Sequence, residues 1–370
     1  MFGDTSNKVR RLLRYVGVPL LSTFLSLVVA DGVLLLTVMH EPPPLRNLYQ
    51  IDAARGYALT PGFKGIAGGK HPFPVEINSD GFRDNEWTFD SDFRILVLGS
   101  SFTFGDGLPI EDGFVWKIRD GLEGKAQIYN ASARGYGPPH LLETMKIECP
   151  RVRPRHVFYF FTATSLRRDF LDTSSRSVVD GYLISTVGRE GGTPLSEEEI
   201  RRRLYQKLNF TMRDLFQILQ LRSLDRYLFE RKIHPRQLVA GMRGESIPTS
   251  EDNKSVLISG EAPASHAGMA ARAATYILGM RAEAEKCGAR FSMIALPLYA
   301  NVHEGIEYPL VRRILKTLEP KSIDILDLRN KPARGSDYFL GYDPHYNADG
   351  ARWVAANVTR YLKALYSELD

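Results

Sequence analysis

The stretch that most restricts the fold is Arg94-Ile95-Leu96-Val97-Leu98. It breaks abruptly into Gly99-Ser100-Ser101-Phe102-Thr103-Phe104-Gly105-Asp106-Gly107. A short apolar run without alternation is the pattern of a strand buried on both faces, as in parallel sheets covered by helices. The break into small and polar residues puts the Ser101 hydroxyl at the carboxyl edge of that strand. That edge is where open α/β sheets bind ligands. Taken alone, the stretch reads as readily as an ordinary strand followed by a serine–glycine turn.

The pattern recurs. Ala126 to Tyr129, His156 to Thr162, Arg290 to Leu296 and Ser322 to Leu328 are further strand-like runs. Helical patterns lie between and after them, over Asp112 to Leu122, His140 to Glu148, Met269 to Cys287, Tyr308 to Leu318 and Ala351 to Leu365. Strands alternating with helices imply βαβ units and a parallel sheet. Gly288 stands just past the Ala-rich helix, where a left-handed C-cap belongs. Residues 48–90 are rich in Gly, Pro and aromatics with short alternations, as at Phe73 to Ile77, and read as small β-hairpins. Asn78 to Asp84 is a turn cluster with no evident chemistry. The α/β rhythm is interrupted at about 171–262. There, Glu197 to Lys232 is amphipathic, with Ile200, Leu204, Leu208 and Leu215 on one face and Arg201, Arg202, Arg203 and Lys207 among its polar positions. A helix pair with a solvated basic face is the simplest reading; a lid or a membrane-facing surface is the alternative. Arg236 to Gly260 is polar and reads as a long mobile loop.

The amino end sets the location. Residues 1–15 carry Lys8, Arg10, Arg11 and Arg14, a basic cytoplasmic tail. Residues 16–39, from Val16 to Met39, are apolar except for Asp31. That length as a helix spans roughly 36 Å, enough for a hydrocarbon core of about 30 Å. No convincing small-residue cleavage site follows, so the segment reads as an uncleaved single-pass signal anchor. The basic flank stays inside and the remainder is exported, facing the periplasm or cell exterior from the inner membrane. Pro42-Pro43-Pro44 stops the helix, and residues 40–90 form a Pro/Gly-rich linker and hairpin region before the main domain at 91–370. A net charge of +5 over 370 residues, partly carried by the tail, lacks the clustered basic stripe of a nucleic-acid binder. The two cysteines, Cys149 and Cys287, form no C-x-x-C or Cys/His cluster, which argues against a zinc site. Two separate buried thiols are the favoured reading, with a single disulfide between them the alternative.

Acyl transfer through serine needs a nucleophile, a base and oxyanion donors, and a carboxylate usually orients the base. Ser101 offers the nucleophile. Asp343 and His345, two residues apart just before a helix, offer an acid and an imidazole that a bent loop could bring together. Alone, Asp-x-His is as compatible with a surface turn.

In combination these residues resemble the SGNH/GDSL hydrolases. The first block of that family, Gly-Asp-Ser-x-Thr-x-Gly-x-Gly, corresponds to Gly99 to Gly107. The second corresponds to Asn130 to Gly137 and points to Gly135. The last corresponds to Asp343-Pro344-His345-Tyr346-Asn347-Ala348-Asp349-Gly350, in a form also found in SGNH proteins of the alginate O-acetyltransferase type. The resemblance covers about residues 50–370, less well over the insertion. It implies a flavodoxin-like three-layer α/β/α sandwich. It also implies Ser101, His345 and Asp343 as catalytic residues, and an oxyanion hole from the amides of Ser101 and Gly135. Two positions depart from the family: Ser100 stands where the block has aspartate, and Thr164 aligns with the asparagine of the third block. The Thr164 hydroxyl could replace that donor. Together with the anchor segment, the resemblance implies a membrane-anchored serine esterase or acyl transferase needing no metal or organic cofactor. Its expected substrate is an O-acyl group, O-acetyl above all, on a cell-surface or exported polysaccharide. A transferase would further require a multi-spanning membrane partner to deliver its donor. The alternatives are a non-catalytic binding or scaffold subunit of a polysaccharide assembly complex, and a lipase or lysophospholipase.

Overall fold

The computed structural model describes residues 13–37, 45–67, 71–166, 171–188, 193–209, 264–305, 307–321, 323–329, 337–340 and 343–370. The basic tail before Leu13, the Pro42–Pro44 stop, the helix expected beyond Asn209 and the loop expected over Arg236 to Gly260 lie outside these residues.

The amino-terminal helix α1 (Val18–Thr37) follows a π-helical turn, Leu13–Gly17. The stretch Tyr15–Val33 is long and apolar enough to cross a membrane, with a mean hydropathy of 1.8. Val18, Leu20, Leu21 and Val29 are exposed.

Residues 43–204 and 250–370 form a second unit. It begins with two antiparallel hairpins, β1 (Tyr49–Asp52) with β2 (Gly56–Leu59), and β3 (Lys64–Ala67) with β4 (Phe73–Glu76). In β4, Phe73 and Val75 point inward and Pro74 and Glu76 outward, the period-2 alternation of a half-buried strand. The α/β part follows in order. It comprises β5 (Arg94–Leu98), the one-turn helix α2 (Ser101–Phe104), α3 (Phe114–Gly121), β6 (Gln127–Asn130), α4 (Pro138–Val152) and β7 (His156–Phe161). Next come the hairpin β8 (Arg176–Val179) and β9 (Tyr182–Ser185), then α5 (Glu197–Leu208). The chain closes with α6 (Ala264–Lys286), β10 (Arg290–Ala295), α7 (Pro309–Leu318), β11 (Asp324–Asp327) and α8 (Ala348–Leu365).

Five of these strands pair in parallel in the order β6-β5-β7-β10-β11. Counting only those five, the order is 2-1-3-4-5, the doubly wound flavodoxin-like topology. All six residues of β7 are buried, and so are four of the five in β5, as continuous apolar runs require when helices cover both faces. Helices α4, α6 and α7 pack together, and α3 packs on α8, which makes three layers. The hairpins share the same core: Leu48, Tyr57, Leu59, Phe73, Val75 and Ile77 join the sheet residues in one apolar cluster. Gly288 takes a φ of +74° after α6, as the C-cap reading requires.

Two features depart from expectation. Cys149 and Cys287 are not separate thiols but a disulfide, with Cα atoms 6.1 Å apart, inside the range a bridge needs. The physical reason is the packing of α4 against α6, which brings together residues 138 apart in sequence. The region expected only to interrupt the α/β rhythm also contains an ordered hairpin. Its turn, Asp180-Gly181, has positive φ at both residues, the Asp-Gly geometry of a tight hairpin. On α5 the basic positions are laced by Arg201–Glu197, Arg202–Glu199 and Arg203–Glu199 pairs, a solvated face.

The turn cluster Asn78 to Asp84 proves structural. Arg83 is buried and its guanidinium donates to the carbonyls of Phe104 and Gly105 (2.9 Å each) and of Pro74 and Leu108 (2.8 Å each). Burial pushes it down to about 10, with Asp106 and Glu111 opposing, so it is charged at neutral pH. Replacing it would strand these acceptors, at about 1–3 kcal/mol per buried unsatisfied group. Arg83→Leu should therefore lose about 3 kcal/mol or more of stability, read as a lower urea midpoint at unchanged slope.

Candidate active site

Ser101 begins α2 directly after β5, and β5 lies between β6 and β7. In this topology that is the switch point, where the connections leaving the first and third strands run in opposite directions and ligands bind at the carboxyl ends. The turn is tight. A Cβ at Gly99 would lie 1.9 Å from the Thr103 hydroxyl, so only glycine fits there. Gly105, with φ +82°, ends the single helical turn. The amides of Gly105 and Asp106 both return to the Ser101 carbonyl.

His345 arrives from the other end of the chain. The loop before α8 is pinned at several points. The Leu340 amide donates to the His345 carbonyl (2.9 Å) and the Asp343 amide to the Leu340 carbonyl (2.8 Å). The Tyr346 hydroxyl donates to the Pro297 carbonyl (2.7 Å). Asn347 caps α8, its side chain accepting from the Gly350 amide (2.9 Å). The His345 ring is tilted against Phe102, centroids 4.7 Å apart.

This scaffold joins Ser101, His345 and Asp343 in one chain of hydrogen bonds. The Ser101 Oγ and His345 Nε2 are 2.7 Å apart. His345 Nδ1 is bonded to Asp343 Oδ1, which also accepts from the His345 backbone amide (2.9 Å). With Asp343 ionised, Nδ1 carries the proton and Nε2 offers its lone pair to the serine. Burial lowers the affinity of His345 for a proton. The Asp343 hydrogen bond and the charges of Asp106 and Asp343 outweigh it, and the net shift is upward despite Arg134. By contrast, His140 and His156 are core imidazoles that burial pushes down to about 4 and about 3.

Gly135 lies in the loop after β6, with φ +79°. The loop is tied to the serine turn by the Ala133 amide, which donates to the Gly99 carbonyl (3.3 Å). A side chain at Gly135 would meet Arg176 Nη1 at 2.5 Å and the Tyr57 hydroxyl at 3.0 Å. Among the described residues, no acceptor takes a hydrogen bond from the amides of Ser101 and Gly135. Thr164 sits in the turn Ala163–Leu166 after β7, at the same sheet edge. Its hydroxyl is bonded to that of Thr162 at 2.9 Å. Ser100 is buried and makes no side-chain capping bond.

Two charged residues here escape sequence reasoning. Asp106 Oδ2 accepts from Arg134 Nε at 2.8 Å and lies 3.9 Å from His345 Nε2. Both looked like turn residues. Their only sequence signal is that each sits inside a block already singled out.

Neither a protein-family model nor a curated protein sequence matches the chain. Among solved structures, it is similar to the psychrotrophic esterase EstA from Pseudoalteromonas sp. (12% identity, 74% of this chain, 98% of that one, TM-score 0.38). It is also similar to an acetyl xylan esterase, AlAXEase (12%, 73% and 99%, 0.37), and to a lipase/acylhydrolase from Enterococcus faecalis (12%, 74% and 96%, 0.37).

An arrangement of this kind can move a proton from the serine hydroxyl to the imidazole as the oxygen attacks. It can do so only while the imidazole is neutral. Because the His345 pKa is raised above the ordinary histidine value, activity should fall as pH drops through a midpoint above that value. A pH profile of kcat/KM reads this directly. Asp343→Asn should lower kcat by about 10⁴, because the ring would lose both its tautomer and its counter-charge.

Proposed function

We propose that this chain is a membrane-anchored serine ester hydrolase or acyl transferase of the SGNH type. One observation carries the reading: the hydrogen-bonded run Ser101–His345–Asp343 at the switch point of the sheet. In the reaction, the Ser101 oxygen bonds to the ester carbonyl carbon and its proton passes to His345 Nε2. The carbonyl electron pair moves onto oxygen, held by the Ser101 and Gly135 amides, with Thr164 nearby as a hydroxyl donor. The carbon–oxygen bond to the alcohol then breaks, and the departing alkoxide takes the proton from Nε2. Water or a sugar hydroxyl repeats the sequence in reverse on the acyl-serine. Asp343 holds the imidazole and stabilises its charged form throughout.

Location narrows the substrate. Tyr15–Val33 can span a bilayer, and the basic flank before it favours export of the chain beyond the span. The Cys149–Cys287 disulfide suits an oxidising compartment outside the cytoplasm. An acyl group on an exported or cell-surface polysaccharide, O-acetyl above all, is the substrate that fits an anchored esterase in that place. If a sugar hydroxyl is the acceptor, the acyl donor must cross the bilayer through a multi-spanning partner, since one helix forms no channel.

The full-length protein in detergent should release p-nitrophenol from p-nitrophenyl acetate, and Ser101→Ala should reduce the rate by at least about 10³-fold. Equal rates for the two proteins would overturn the mechanism. Protein recovered from the cell envelope without reductant, then denatured, should show no free thiol on titration; two thiols per chain would argue for a reducing compartment.

A further inference from the structure

Asp106 is the group at this site that the proposed reaction leaves unused. Its backbone amide donates to the Ser101 carbonyl at 3.1 Å, so its place relative to the nucleophile is set by the serine turn itself. Its side chain is buried, 7% exposed. Oδ2 is shared between Arg134 Nε, at 2.8 Å, and His345 Nε2, at 3.9 Å. Oδ1 is buried and has no hydrogen-bond partner among the described residues. Buried side-chain polar atoms usually have a hydrogen-bond partner, so one that lacks it calls for an explanation, of which a catalytic role is one. Arg134 belongs to the loop that carries Gly135 and precedes it directly.

Resting on the serine-esterase reading above, we infer that Asp106 and Arg134 are positioning residues. They form a polarised ion pair laid across the reacting atoms, with its carboxylate toward the imidazole nitrogen that receives the serine proton and its guanidinium beside the oxyanion loop. The charged groups that face His345 are Asp343 from its own loop, Asp106 from the turn after α2 and Arg134 from the loop after β6. Asp343 acts on Nδ1, the far side of the ring. Asp106 acts on the near side, at the nitrogen that gains charge as the acyl-serine forms. A bare carboxylate there would also repel the developing oxyanion. Arg134 offsets that repulsion, and Asp106 is the largest influence raising the affinity of Arg134 for a proton. The pair thus favours both charges of the transition state, imidazolium and oxyanion.

The signs separate this from a structural role. Asp106→Asn removes a charge that raises the His345 pKa, so the acid limb of kcat/KM should move to lower pH. Arg134→Gln removes one that lowers it, so that limb should move to higher pH. Each variant should lower kcat on p-nitrophenyl acetate by about tenfold or more with KM little changed, and Asp106→Glu should restore the wild-type limb in part. Labelling of Ser101 by a fluorophosphonate across the same pH range gives the limb independently of turnover. If Asp106→Asn fails to fold, Arg134→Gln decides alone, and a limb that stays or moves down overturns the inference. Losses of activity with both limbs unmoved also overturn it, leaving the pair as scaffold. If Ser101→Ala is as active as wild type, the serine reading itself has failed; if that variant is dead and the limbs do not move, only this inference has.

Discussion

A single buried cation holds the turn at Ser101 in place. The Arg83 guanidinium sits among four backbone carbonyls, three of them (Phe104, Gly105 and Leu108) in the segment that follows Ser101. The fourth, Pro74, belongs to β4 in the amino-terminal hairpin. The rings of Phe73 and Phe104 flank it, at 4.9 and 5.2 Å. A one-turn helix cannot hold its own geometry, since too few hydrogen bonds form for the residues fixed. Here the carbonyls that leave the end of α2 find a charged donor instead of water. Charge-assisted bonds are the stronger kind, and the guanidinium reaches several acceptors at once. The hairpins before the sheet are therefore part of what fixes the serine.

Asp84, next in the chain, continues the same strut. It accepts from Arg119 on α3, from the Trp87 indole and from the Asn130 amide at the end of β6. Asn130 then opens the loop that carries Gly135, and its side chain donates to the Thr103 carbonyl (3.4 Å). Two adjacent residues of one turn thus brace both the turn at Ser101 and the loop that carries Gly135. The sheet does the rest. Because the connections after β5 and β7 leave in opposite directions at the switch point, a serine after β5 can meet a histidine 244 residues later in sequence without any long arm reaching across the molecule.

Much of this is legible in the residues. The central strands stand out because burial on both faces forces continuous apolar runs, as in His156 to Phe161. Asp343 and His345 are legible as partners because two residues in a bent loop are close enough to pair without help from the fold. What is hidden depends on packing between distant segments. The Cys149–Cys287 bridge exists only because α4 lies on α6. Arg83 sits in a run of turn residues, and nothing local says that its side chain turns inward. The hairpin β8–β9 is a different case. Asp180-Gly181 is a short-range hairpin signal that the polar, irregular composition around it obscures.

The turn around Ser101 shows how a carboxylate can reach this sheet edge from a position other than 100. In the family this chain resembles, the first block places an aspartate where Ser100 stands. Ser100 is buried and makes no side-chain cap. A carboxylate nevertheless lies close by, because the turn after α2 folds Asp106 back until its amide meets the Ser101 carbonyl. The same turn sets that carboxylate between Arg134 and His345. Electrostatics near a reacting atom depend on where charge sits in space, so a residue five positions downstream can supply it as well as the one immediately before. That placement adds a constraint: Asp106 Oδ2 is paired with Arg134, and the segment from Gly99 to Gly107 must keep its turn, which is the part of the chain that Arg83 clamps.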